Sequence, residues 1–467
     1  MRTVVSGCLL IVLLCCSTSV LVMQGGQETS SACSPAANSD LVLAGAARAD
    51  ISPQQPVYLG GYGFGPARLS TGVMQPLFVR ALALRSMDNR PEHTLIFAAL
   101  DSQGYFAAYQ SGPYGIADMR AALNARLGIP VSNIIIASTH SHAAPDTVGF
   151  WGGVPDSYLA RVHDQTIRAV TQAVANLAPA RLSAGTASID GYTTSFGDDE
   201  RGSQGSAASW PADTQLRLLR AVSSDGGQTI ATLVNISVHP TALGSSNTLA
   251  SPDWPGVTTS DLETQLGGIA VLMIGALGHT WPGVPSGATS LSKDAEGMRQ
   301  YGDLMARRAL EAANAARPVT NPTLCAADQY FREADTTAPL LLGLQFLGRS
   351  GHERILRSLQ EPYFAPPNGL GVEVETLRIG NLVFLTAPVE PYPSLLFALR
   401  QQIQTPMIFF FGLANDQLGY ATEPGEYPGA VVNSPTDEAL FILSPTFGND
   451  IINHLLDGAR QIGLATH

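Results

Sequence analysis

Apolar residues in this 467-residue chain fall into short runs broken by glycine, proline and polar turns, and the runs alternate with stretches of helical spacing. RALALR (80–85) and HTLIFAALD (93–101) have the length and the apolar, β-branched character of strands. Over 115–127 (GIADMRAALNARL) apolar positions recur three and four apart, which predicts a helix. VSNIIIAST, ending at Thr139, is apolar without alternation and predicts a strand buried on both faces. YLARVHDQTIRAVTQAVANL (158–177) predicts an amphipathic helix, stopped by Pro179. QLRLLRAV, TIATLVNISVH and GGIAVLMIGAL predict three further strands, 294–316 a long helix and 352–360 a shorter one. TLRIGNLVFLTAPVE, PYPSLLFALRQQI and MIFFFGLAND read as strand, helix and strand. No repeat is visible, and glycine and proline are spread through the connections instead of gathered in a linker. The expected architecture is one large α/β domain over 40–467, with mixed β-sheets flanked by helices and its chemistry at the C-terminal ends of strands.

Composition narrows the classes. Hydrophobic residues make up 45% and charged ones 14%, the balance of a chain that folds. A net charge of −12 without a basic stripe excludes nucleic acid as the expected partner. Arg2 precedes an apolar run from Cys8 to Met23, and the polar stretch GGQETSSACSPAANSD follows it. Residues 1–33 are therefore expected to be an export signal and polar leader, which would deliver the protein to the periplasm, the envelope or the exterior. Only Cys33 and Cys325 lie beyond the apolar run, enough for one disulfide or none. Two separated cysteines cannot build a zinc cluster, so a metal would have to be held by His, carboxylate or Tyr.

Such residues gather at predicted strand ends. IIIASTHSHAAPD carries His140 and His142 two positions apart, which on an extended chain would face one side. LVNISVHP ends on His239, VFLTAPVEP on Glu390, and FFFGLAND leads into a polar loop with Asn415, Asp416 and Tyr420. Each is weak evidence alone: a helix follows Glu390 directly, and a lone tyrosine is commonly a packed aromatic. Together, two imidazoles, a carboxylate and a phenol suit Zn²⁺ with a position left for water. Asp146 either orients an imidazole from behind or bonds the backbone of its own Pro-Asp-Thr turn. Phe150, Trp151, Trp254 and Trp281 stand in loops beside these motifs and are candidates for an apolar substrate groove. The glycines of GGYGFG (60–65) follow no phosphate-loop pattern; their expected role is to let backbone pass close to the site.

These segments carry a resemblance. AGAARADISPQQPVYLGGYG, GVMQPLFVRALAL, ASTHSHAAPDTVGFWG, NISVHPTALG with SPDWPG, APVEP and NDQLGYATEPGEY are together similar to the catalytic N-terminal domain of the neutral/alkaline ceramidases. The resemblance implies a zinc amidase that cuts the N-acyl bond of ceramide. It assigns the zinc to His140, His239, Glu390 and Tyr420, and proton transfer or substrate holding to His142. It also implies a small-molecule or lipid substrate and peripheral contact with membranes or lipid aggregates. The chain departs from the family pattern in places. GALGHTWPGV has His279 and Trp281 where the family has aspartate and, in ceramidases proper, serine; His279 is expected to be a surface loop residue. YTTSFGDDERGSQGSAAS replaces an Asn-Arg-Ser-Pro segment, with Arg201 as its one candidate substitute, and Met74 stands where relatives often have histidine. These departures keep two alternatives open: hydrolysis of an ester on the same scaffold, and a binding protein without turnover.

Overall fold

The computed structural model describes residues 31–35, 39–63, 65–109, 111–195, 211–284, 291–333, 370–427 and 441–467. The predicted 352–360 helix, Arg201 and the apolar leader lie outside the described residues. Two mixed sheets stack face to face, with helices on both outer sides. The larger runs in the order Ile269–Ile274, Thr229–Ile236, Gln215–Ser223, Ala178–Ser188, Leu41–Asp50, Phe78–Arg85, Thr94–Leu100, Ile134–Ser138, with Arg317–Pro318 added beside Ala178–Ser188. The smaller runs Ser31–Cys33, Leu324–Glu333, Leu370–Ile379, Leu382–Thr386, Met407–Phe411.

Side-chain alternation decides the layers. Ile96, Ala98 and Leu100 face the helices Ile116–Leu127 and Asp156–Ala175 in one core. Leu95, Phe97 and Ala99, one residue out of step, meet Phe384, Phe409 and Phe411 between the two sheets. A third core packs helices Trp254–Leu266 and Ala295–Ala315 on the other half of the large sheet. A fourth seats Pro393–Gln402 and Phe447–Gln461 on the outside of the small one. A continuously apolar strand such as 134–138 is what a position between two such cores requires. The 156–175 helix buries Tyr158, Leu159, Val162, Thr166, Ala169, Val170 and Ala173, an apolar stripe along one face.

Within these two sheets most neighbours are antiparallel, but three pairs are parallel, each joined through a helix. They are 94–100 with 134–138, 229–236 with 269–274, and 382–386 with 407–411. Their C-terminal ends meet. Ser138 N–H donates to Leu413 O at 3.1 Å, Gly412 N–H to Ile274 O at 3.1 Å, and the Asn235 side chain to Phe410 O at 2.9 Å. Every candidate ligand leaves the fold at this junction.

Some elements differ from the sequence reading. The 158–177 helix begins at Asp156 and ends at Ala175, and Pro179 belongs to the next strand, not to a helix stop. TLRIGNLVFLTAPVE is two strands, because Gly380 at φ +61° turns the chain back on itself. The strand pairing also begins earlier than residue 40. Ser31–Cys33 lies antiparallel to Leu324–Glu333, and Cys33 is disulfide-bonded to Cys325, 292 residues away. A bridge closing so long a loop restrains the unfolded chain strongly and is expected to contribute roughly 2–5 kcal/mol. Reduction should therefore lower the Tm by roughly 2–5 °C for a domain of this size. Thermal unfolding with and without reductant measures this. The Cys33→Ser, Cys325→Ser protein should melt at the lower temperature and ignore reductant.

Candidate metal centre and active site

His140 follows the 134–138 strand by two residues and sits at φ +64°, a left-handed conformation uncommon outside glycine. The two histidines thus converge through a sharp turn, and not by the extended alternation that the sequence suggests. Their rings are edge to face with centroids 4.9 Å apart, and their Nε2 atoms are 3.3 Å apart. His140 is buried and its Nδ1 meets Gln103 O at 2.6 Å. His239, three residues past the 229–236 strand, is also buried, and its Nδ1 meets Thr280 O at 2.9 Å. A carbonyl only accepts, so both rings carry their proton on Nδ1 and turn an Nε2 lone pair inward. Glu390 Oε2 lies 3.2 Å from His140 Nε2 and 3.1 Å from His239 Nε2.

Three electron-pair donors therefore face one point with no proton among them. That arrangement could hold a metal cation. Ligand bonds of about 2.0–2.1 Å in a tetrahedron set neighbouring donors about 3.3 Å apart, which is the spacing found. The donor atoms of His140, His142 and His239 all lie within 4.8 Å of one another. Burial pushes the Glu390 carboxyl up, but the facing imidazoles of His140 and His239 outweigh it and hold the group well below the ordinary carboxylate range. Burial lowers His239, opposed by Glu390. Burial also drives His142 far down, helped by the neighbouring imidazoles of His140 and His239.

Tyr420 comes alongside through backbone pairing. It is the register partner of Glu390, whose N–H donates to Gly419 O at 2.8 Å, and its ring is edge-on to Tyr392. Trp281 stacks flat on His239, with ring planes 9° apart and centroids 5.3 Å apart. Phe150 and Trp151 contact each other, and Phe150 meets Phe441. Trp151 also closes on the glycine turn, its indole N–H reaching Gly63 O at 2.5 Å.

The family model described as neutral/alkaline non-lysosomal ceramidase, N-terminal, matches residues 42–277, just over half of the chain. The chain belongs to the neutral/alkaline ceramidase family. Its fold is similar to the crystal structure of neutral ceramidase from Pseudomonas aeruginosa, with TM-score 0.71 and 19% identity over 91% of this chain and 75% of that one. A structure described as ceramidase complexed with C2 is equally similar, with TM-score 0.71 and 18% identity over 91% of this chain and 76% of that one. No curated protein matches.

Within this family fold, two sequence expectations change. Trp254 does not line a groove: it is fully buried, and its indole N–H supports the carbonyl of His239 at 3.0 Å. His279 is not a surface residue: it has no exposure and its ring lies 4.6 Å from Tyr392. The divergent segment around it backs His239, since Thr280 O accepts both the backbone N–H and the ring N–H of that histidine. Asp146 gives its carboxylate to the loop ahead, accepting N–H bonds from Gly149 (2.6 Å), Trp151 (2.7 Å) and Gly153 (2.8 Å). These bonds reach beyond the Pro-Asp-Thr turn and hold the aromatic loop in shape.

The glycine turn behaves as its sequence predicts. Gly61 has φ +99°, and a Cβ there would come within 2.3 Å of the His142 ring. Residues that the sequence reading missed act mainly through their backbone: Gln103 and Thr280 offer carbonyls, which carry no residue-type signal. Arg68 also went unread, as a single cation outside any motif.

Proposed function

We propose that this protein is a zinc-dependent amidohydrolase that cuts the N-acyl bond of a ceramide-class lipid. The observation that carries the reading is the convergence of His140 Nε2, His239 Nε2 and Glu390 Oε2, three acceptors whose charge and spacing call for a small divalent ion. Two imidazoles and a carboxylate accept several first-row ions; the family supports zinc among them, and Tyr420 is the fourth candidate ligand. A bound zinc would supply an activated water and polarise the scissile carbonyl.

The chain's own groups do the rest. Gln103 O and Thr280 O fix the tautomers of His140 and His239. His142, kept neutral by its surroundings, can take up a proton and hand it to the departing amine nitrogen. Trp281, Trp151 and Phe150 offer apolar surface beside the centre, which supports an acyl chain as the substrate's other half. The apolar leader and the Cys33–Cys325 bridge favour an exported protein, since such bridges persist in oxidising compartments. A lipid substrate would bring it to membranes or lipid aggregates. Among the described residues no helix is long and apolar enough to cross a membrane.

A panel of N-acyl sphingoid amides and matched acyl esters tests the substrate class on zinc-loaded protein. Release of fatty acid from the amide is the expected result. Ester turnover without amide turnover would move the reading to an esterase, and silence on both with zinc bound would favour a binding protein.

A further inference from the structure

The geometry points to Arg68 as the positioning residue for His142. This rests on the reading of His142 as the proton-transfer group and goes beyond it by naming what holds that ring in place. The three imidazoles of the centre are not anchored alike. His140 and His239 each have Nδ1 on a backbone carbonyl. The Nδ1 of His142 is buried with no hydrogen-bond partner. Its Nε2 lies 3.3 Å from His140 Nε2, and the Nδ1 side of the ring is held by packing.

The packing comes from the glycine turn. Gly61 backbone lies directly against the ring, and Tyr62 meets it edge-on with centroids 5.0 Å apart. Arg68 fastens that turn to the histidine. It is 7% exposed, and among the described residues it forms no ion pair; its hydrogen bonds go to carbonyl oxygens. One terminal nitrogen, Nη2, bonds both Gly60 O and His142 O, the latter at 2.8 Å. The other reaches Asn247 O at 3.4 Å, and the guanidinium carbon lies 4.8 Å from the centre of the Tyr62 ring. Burial disfavours the charge on Arg68, and Asp146 offsets this only through space, without an ion pair. Here Nη2 joins the two segments that clasp His142, and the planar fork lets one group do so while stacking on Tyr62. Loosening the clasp would leave the metal ligands in place and let the His142 ring wander.

The experiment is a double-mutant cycle on the zinc-loaded full chain with a fluorogenic N-acyl sphingoid amide. Arg68→Ala, Arg68→Met and Arg68→Lys are each made in the wild-type and His142→Ala backgrounds. Misplacing a proton-transfer group by about 1 Å costs on the order of 10²-fold, so Arg68→Ala should lower kcat about 10- to 100-fold, with KM within about threefold and zinc content unchanged. Arg68→Met keeps the stem and should be nearly as slow; Arg68→Lys should recover part of the rate. In the His142→Ala background the further loss should vanish. An equal loss in both backgrounds, or a loss confined to KM or zinc content, overturns the inference. Wild-type turnover by His142→Ala instead overturns the reading of His142. For a readout without activity, ring signals of ¹³C-histidine-labelled protein are followed by NMR. The His142 signal should broaden or split in Arg68→Met while those of His140 and His239 hold; an unchanged His142 signal contradicts the clasp.

Discussion

His239→Ala is expected to abolish amide hydrolysis and empty the metal centre while the protein stays folded. The ring donates one of three inward-facing atoms, and Glu390 Oε2 sits 3.1 Å from it. Without it the carboxylate faces His140 alone and the cation has two strong donors in place of three. If ligands share the binding free energy of a protein zinc site, about 10–16 kcal/mol in all, one lost ligand removes several kcal/mol. Activity at limiting zinc should then fall on the order of 10³-fold or more. The fold should persist because Trp254 and Thr280 bond the backbone of residue 239, and alanine keeps that backbone. Steady-state kinetics with titrated zinc, beside circular dichroism, measures both halves. Near-normal turnover at limiting zinc would contradict the assignment.

The second large effect is on stability. Arg217 and Asp213 form a fully buried two-pronged ion pair, with Nη1–Oδ2 2.8 Å and Nη2–Oδ1 3.0 Å. Ser237, two residues before His239, donates to the same carboxylate at 2.8 Å. Asp213→Ala leaves a guanidinium buried without its countercharge, a loss of about 3–5 kcal/mol. At an unfolding entropy of ~2.1 cal/mol/K per residue, the Tm of this domain should drop by roughly 3–6 °C. The exposed Arg299–Glu296 pair is the control, and Glu296→Ala should leave the Tm unchanged. Scanning calorimetry decides between them. Equal shifts in the two variants would mean that burial does not set the worth of these pairs here. Because Ser237 leads into His239, the Asp213 variant should also bind zinc more weakly.

The candidate site was legible in the sequence because apolar runs end abruptly on polar, metal-competent residues. A parallel strand pair buried on both faces has no amphipathic pattern, but its end is marked by the first residues able to leave the core. His140, His239 and Glu390 are such residues, and they meet because three parallel pairs bring their ends to one junction. What the sequence did not announce falls into two kinds. Supports that act through the main chain, Gln103 O and Thr280 O, could have been any residue. Ala178–Ser188 has Leu182 as its one large aliphatic residue among small and polar ones, so its alternation of Ala180, Leu182 and Ala184 carries little hydrophobic contrast. The 447–461 helix is different. Ile451, Ile452, Leu455, Leu456 and Ala459 repeat at helical spacing, a signal that a reading led by strand ends passes over. Burial of Trp254 and His279 was not readable either, since loop position along a chain does not give depth.

The central claim is that these strand ends hold one metal ion. Elemental analysis of the purified protein beside a His140→Asn variant tests it most directly. Asparagine is chosen because position 140 has φ +64°, which Asn adopts more readily than Ala. The account predicts about one zinc per wild-type chain and none in the variant. Metal absent from both after zinc is supplied, or equal in both, would contradict it.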